Sequence, residues 1–425
     1  MIEDLYCHFH TKPLETQCLK GNRRLFGVPL MSQPFLKANL LDVAGLAIMW
    51  GVINPFAGVI LRRLGATAEM IGLFSIAPFV GFLSTGIATR LAYRYRWGLL
   101  LALFSAIGRL TLLVPAFTAS PVVFVGVFFI MHLFSSSAMS IHGPALKAHT
   151  RPGVRAGIFK WGQLLIAAVS IPIAWVSGVF LDVYPQGWRA LFPLAGFSAA
   201  CCALGYLRLP SRAAETNTMG QPTGLSAELN VLRKDRRFAV LMAILFIGFM
   251  GEKIGLPVLP IYFADVLDLK YEHVGAAIGI FGPILAVAGY FFWGLQLQKM
   301  SAVKVLTVCM IIKAARPVLW ALAPSQPSPL TFIIVGEMIF RFCISGLEMA
   351  VILTVLGMSS ERNAPAYMGV HYVLLGIRGL IGPIIGTILI KAGADVSLIY
   401  WIIAAVVMAG GTALILLCML EKPAR

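Results

Sequence analysis

Charge is what this sequence has least of. Only 12% of its 425 residues are Asp, Glu, Lys or Arg, about half the share carried by a water-soluble domain, which argues against a soluble globule. Acids are the scarcer sign, 18 against 34 bases. The seven cysteines form no CxxC pair, which leaves no sign of a disulfide framework or a zinc site. Cys7, His8 and His10 stand close together, but three ligands on a tail are a weak basis for a metal, and none is expected. No HExxH, GxSxG or phosphate-loop run occurs, so the chain does not read as an enzyme and no cofactor is expected. Nor is any basic stretch interleaved with stacking aromatics, which argues against nucleic acid. The first 36 residues lack the apolar core of a signal peptide and read as a tail, with Met31 as an alternative start.

Apolar residues fill the space left by charge. They make up 59% of the chain, the mean hydropathy is +0.86, and at about 20 residues per span this suffices for roughly a dozen helices. Twelve apolar segments follow from their lengths and their polar or Gly/Pro breaks: 38–61, 70–90, 98–117, 121–143, 155–180, 188–207, 238–262, 273–297, 303–322, 328–352, 366–390 and 396–419. The expected fold is all-α, with twelve transmembrane helices in two pseudo-symmetric six-helix bundles. It divides into a tail (1–37), a first bundle (38–207), a central loop (208–237), a second bundle (238–420) and a short C-terminal tail (421–425). With the N-terminus inside, 22 Lys and Arg fall on one side, five on the other and seven within helices. That bias places both termini and the central loop in the cytoplasm, and the expected location is a bacterial inner membrane.

A repeat supports the two bundles. Glu69-Met-Ile-Gly72 opens the second segment and Glu272-His-Val-Gly275 the eighth, each followed by a proline, Pro78 and Pro283. Arg109 in the third segment matches Arg316 in the ninth, and Pro172 in the fifth matches Pro383 in the eleventh. Between segments two and three runs Thr89-Arg-Leu-Ala-Tyr-Arg-Tyr-Arg-Trp-Gly98, and between eight and nine Gly294-Leu-Gln-Leu-Gln-Lys-Met-Ser301. Over 38–420 the chain resembles the major facilitator superfamily, whose loop signature is G-x-L-A-D-R-x-G-R-R. Leu91, Ala92 and Arg94 match the first copy; Gly294 and Lys299 match the second. The resemblance implies gating roles for Arg94 and Lys299. Tyr93 and Gln298 replace the acid that pairs across the family's cytoplasmic gate. The resemblance also implies that segments one, four, seven and ten line a central cavity, with three, six, nine and twelve peripheral.

Ionisable residues in hydrocarbon are costly unless they face a cavity or a partner. Glu337, Arg341 and Glu348 share one face of segment ten, and Glu337 and Arg341 are one turn apart. His371 and Arg378 share a face of segment eleven. Segment four offers His132, segment one Asp42 and Asn54, and segment seven Glu252 beside Lys253. Arg378, Arg341, His371, His132 and Asn54 are the expected substrate-binding residues; Glu337, Glu252, Asp42 and Glu348 are the expected proton carriers. Arg378 and Arg341 lie near mid-span, where transporters bind their solutes, and Arg378 is the foremost candidate for direct anion contact. Arg109, Lys313 and Arg316 are assigned structural roles.

The expected function is secondary active transport by alternating access, in a monomer. Its solute is small and anionic or zwitterionic, because bases outnumber acids within the helices, and a proton is the candidate coupling ion. The competing reading is a facilitator-like protein that no longer transports, serving as receptor, assembly factor or subunit of a membrane complex. Loss of the gating acids is the feature behind it.

Overall fold

The computed structural model describes residues 32–81, 84–92, 94–150, 152–209, 225–359 and 364–420. Met31, Cys7, His8 and His10, most of both tails and the middle of the central loop lie outside the described residues. Among those described there is helix and no strand, as a bilayer demands of backbone that must satisfy its own hydrogen bonds.

The twelve membrane elements are α1 (Gln33–Arg63), α2 (Ala68–Gly81, continuing as Thr85–Ala92), α3 (Trp97–Leu110, ending in a 3₁₀ stretch Thr111–Ala116), α4 (Pro121–His149), α5 (Pro152–Val183) and α6 (Trp188–Ala203). The second set is α7 (Arg236–Ile261, passing into a π-helical turn Tyr262–Val266), α8 (Tyr271–Gln296), α9 (Ala302–Ser325), α10 (Pro329–Met358), α11 (Ala364–Lys391) and α12 (Val396–Leu420). Among the described residues eleven are long and apolar enough to cross a bilayer, and Ala68–Gly81 of α2 is a shorter apolar helix. Prolines open α1, α4 and α10, where a missing N–H costs nothing. A short amphipathic helix, Leu225–Lys234, leads out of the central loop. Asp235 then caps α7 by accepting the Phe238 amide at 3.0 Å and the Tyr367 hydroxyl of α11 at 2.8 Å. Burial works against its charge, but these donors outweigh it and hold the carboxyl below its usual range.

Packing repeats with a shift of six helices. In the first half α1 packs on α5 and α6, α2 on α4, and α3 on α4 and α6; in the second, α7 packs on α11 and α12, α8 on α10, and α9 on α10 and α12. The halves meet through α2 with α11 and α5 with α8. The repeat extends to single torsions. Gly65 turns α1 into α2 at φ 86°, and Asp268 turns α7 into α8 at φ 43°. Each stands four residues before the matched glutamate, Glu69 or Glu272. The α8 backbone presses against the first half: a Cβ on Gly279 would collide with the side chain of Ala174 in α5.

Candidate functional site

Two adjoining cavities of about 430 and 230 Å³ lie between the halves and share Trp50, Asn54, Arg341 and the Pro55–Ile278 edge. Their charged wall comes from the second half. Glu337 is buried, 1% exposed. Its Oε1 accepts from Arg341 Nε at 2.7 Å, and its Oε2 lies 3.3 Å from Arg316 Nε. Arg316 is stacked between Trp320 and Phe340, 4.1 Å from each ring centre, a geometry suited to a planar cation. Glu252 accepts from Lys313, whose ammonium is fully buried over Phe249. Lys253, one residue on, turns the other way, to 5.1 Å from the Phe79 ring of α2. Among the described residues Lys253 has no ion-pair partner. The smaller cavity runs from Arg341 towards the central-loop side, past Glu348, which accepts from the Tyr290 hydroxyl, and Gln163.

Of the expected residues, Arg341, Glu337, Glu252, His132 and Asn54 line the larger cavity, and Glu348 lines the smaller. Three expected site residues lie away from both cavities. Arg378 lines neither cavity: its guanidinium is buried over Phe249 and donates to the Leu245 carbonyl at 3.1 Å, so it bonds the α7 backbone where a direct anion contact was expected. His371 lines neither cavity and sits beside Tyr372. Asp42 is sealed in the first half against Arg109 at 2.6 Å, and Arg109 also donates to the Ala199 carbonyl. Arg94 and Lys299 are exposed and, among the described residues, take part in no ion pair. Two charged residues of the larger cavity, Arg316 and Lys253, are not among the residues expected from the sequence to bind solute or carry protons. Arg316 lies on α9, which the family resemblance makes peripheral, yet its side chain is long enough to reach Glu337. For Lys253 the available signal is its adjacency to Glu252: side chains about 100° apart on a helix face different surroundings.

The polar links seen between the halves cluster at the end opposite the central loop. Arg62 bonds Asp265 at 2.6 Å, and Arg63 donates to the Leu269 carbonyl at 2.6 Å with its guanidinium over Tyr271. Lys391 pairs with Glu69 at 2.7 Å. Asp182 at the end of α5 accepts the Tyr271 and Glu272 amides at 2.8 and 2.7 Å, so the first half caps the first turn of α8. Arg62, Arg63 and Lys391 belong to the five bases on the base-poor side. The contacts they make across the halves account for their presence there.

The profile of a family described as the Major Facilitator Superfamily matches residues 43–291. Among solved structures, the nucleoside transporter NupG is similar at TM-score 0.69 and 14% identity, covering 92% of this chain and 100% of that one. A bacterial homologue of the human lysosomal transporter Spinster, inward-facing and unoccupied, gives 0.64 and 15%, covering 92% and 95%. A POT family transporter in complex with 5-aminolevulinic acid gives 0.69 and 14%, covering 94% and 99%. At such identities the likeness is one of fold. Comparison with curated proteins finds no match.

Proposed function

Since the chain belongs to the Major Facilitator Superfamily, we propose that it is a secondary transporter carrying a small organic anion or zwitterion through the cavity between its halves. The observation that carries this reading is the charged wall. Lys253, Arg316 and Arg341 face the larger cavity against Glu252 and Glu337, and Glu252 is already neutralised by Lys313. Net positive charge in a low-dielectric cleft raises the local concentration of anions. Arg341 is the group that greets the solute. A solute carboxylate can draw it away because Glu337 keeps Arg316, so no buried acid is left without a counter-charge.

In this reading the central loop and both termini are cytoplasmic, in a bacterial inner membrane, and a monomer suffices because the cavity lies within one chain. The shut end then faces outward, and the cavity is served from the cytoplasm. Glu337 is the coupling residue: a proton arriving there weakens its hold on Arg341, and a departing proton restores it. The test is flux of radiolabelled organic anions, amines and neutral analogues into proteoliposomes, with and without a pH gradient. Anion flux that Arg341→Gln abolishes supports the reading. Flux of amines alone, or none of any class, overturns it. Glu337→Gln is expected to lose gradient-driven uptake while retaining exchange; an unchanged response to the gradient removes Glu337 as the coupling group.

A further inference from the structure

The larger cavity is two-faced. Apart from His132, all the ionisable side chains lining it come from α7, α9 and α10 of the second half. Beside Asn54 and Ser75, the first half supplies a mainly apolar wall: Trp50 from α1, Phe74 and Phe79 from α2, and Phe128 and Met131 from α4. Phe74 and Phe128 are locked edge to face, ring centres 4.8 Å apart, so the wall is a packed surface.

We propose that the transported solute is itself two-faced: an organic monoanion whose acidic group is held by Lys253 and Arg341 and whose flat apolar body lies on the aromatic wall of the first half. The proposal rests on the reading of the protein as an anion transporter and narrows it. Arg316 among the cavity's three cations, and Lys313 outside its lining, are committed elsewhere. Arg316 is stacked between two rings and paired with Glu337, and Lys313 is spent on Glu252. Lys253 remains, without an ion pair among the described residues and with its ammonium over the Phe79 ring. That placement joins the two faces at one point: an anionic group on Lys253 brings whatever is attached to it against Phe79. Size agrees. A cavity of about 430 Å³ is in the range that encloses a one- or two-ring molecule, whereas an acetate-sized ion would leave the aromatic wall wet.

Alternating access adds a reason of its own. A solute shifts the equilibrium between conformations only by its differential affinity for them. An ion gripped by the second half alone has little to say about how the first half sits against it. A solute with its charge on one half and its apolar body on the other gains contacts as the halves close around it.

The experiment uses the purified full-length protein in lipid nanodiscs, titrated calorimetrically with phenylacetate, acetate, 2-phenylethanol and 2-phenylethylamine. Phenylacetate is expected to bind tighter than each of the others by about tenfold or more, since acetate lacks the ring's buried area and the other two lack the charge. Phe79→Leu is expected to weaken phenylacetate severalfold and to leave acetate unchanged. Lys253→Met is expected to weaken both anions and to leave phenylethanol unchanged. Melting curves that match wild type establish that both variants are folded. Acetate binding as tightly as phenylacetate overturns the two-faced solute while leaving an anion transporter. The amine or the alcohol binding tighter than phenylacetate overturns both readings. No phenylacetate binding overturns the inference, and the flux assay above then decides the broader one on its own.

Discussion

Asp42 and Arg109 meet at 2.6 Å with side chains 11% and 5% exposed, so neither charge has water to fall back on. Removing one partner from such a pair costs about 3–5 kcal/mol, whereas replacing both with apolar residues is often neutral. Asp42→Asn is therefore expected to melt well below wild type in detergent, and Asp42→Leu combined with Arg109→Met to recover most of the loss. A single variant that melts with wild type would show that the pair contributes nothing. Arg378 makes a different case. With its guanidinium on the Leu245 carbonyl, Arg378→Gln is expected to cost about 1–3 kcal/mol of stability and to leave solute affinity within about twofold. A large loss of affinity at normal stability would restore it to the binding site. The sequence shows that such residues sit in hydrocarbon and need partners. It does not show which, because Leu245 lies 133 residues from Arg378 and Glu337 lies on a different helix from Arg316. For that reason the pair within one helix, Glu337 and Arg341, was legible, and the reach of Arg316 was not.

Helices and their repeat were legible because apolar runs of span length and the matched Glu69 and Glu272 segments leave marks in the sequence. Backbone irregularities leave none: the π-helical turns Tyr262–Val266 and Gly275–Phe281 sit inside runs that read as ordinary helix. Such turns recur at functional sites, and here one ends α7 at the shut end while the other brings Ile278 to the cavity. The close approach of α11 to α7 was only partly legible, as glycines that permit it. A Cβ on Gly386 would overlap the Ile254 carbonyl oxygen, backbone that cannot yield, while nothing lies within 4 Å of a Cβ on Gly376 in the same helix. Gly386→Ala is thus expected to destabilise by about 1–3 kcal/mol through overpacking. Gly376→Ala is expected to be neutral or to stabilise by up to about 1 kcal/mol through helix propensity. Melting curves of the two variants separate a packing role for Gly386 from a general intolerance of α11 to alanine.

Across the whole molecule, the two halves hold each other shut by a contact between equivalent positions. Arg62 precedes Gly65 by three residues and Asp265 precedes Asp268 by three, so the bonded pair consists of repeat counterparts. Counterparts meet where a pseudo-two-fold axis passes between α1 and α7, and identical charges there would repel. The pair attracts because the two positions carry opposite signs. It is partly exposed, 31% and 38%, so its worth is about 0.2–1 kcal/mol, enough to matter for an equilibrium between two conformations of similar energy. Arg62→Asp turns attraction into repulsion and is expected to raise the open fraction of the shut end by about fivefold. The charge-swapped double variant, Arg62→Asp with Asp265→Arg, is expected to return to wild type. The readout is labelling of Asn54→Cys, in a background without native cysteines, by an impermeant maleimide applied from the face opposite residues 208–237. Lys391→Gln serves as the comparison. Its pair with Glu69 is about half exposed and is expected to change labelling little, because water already competes for both charges. Equal labelling of Arg62→Asp and wild type would mean that the remaining links at this end, Arg63 to the Leu269 carbonyl and the Asp182 cap on α8 foremost, hold it closed, and Arg63→Gln combined with Asp182→Ala would then have to open it.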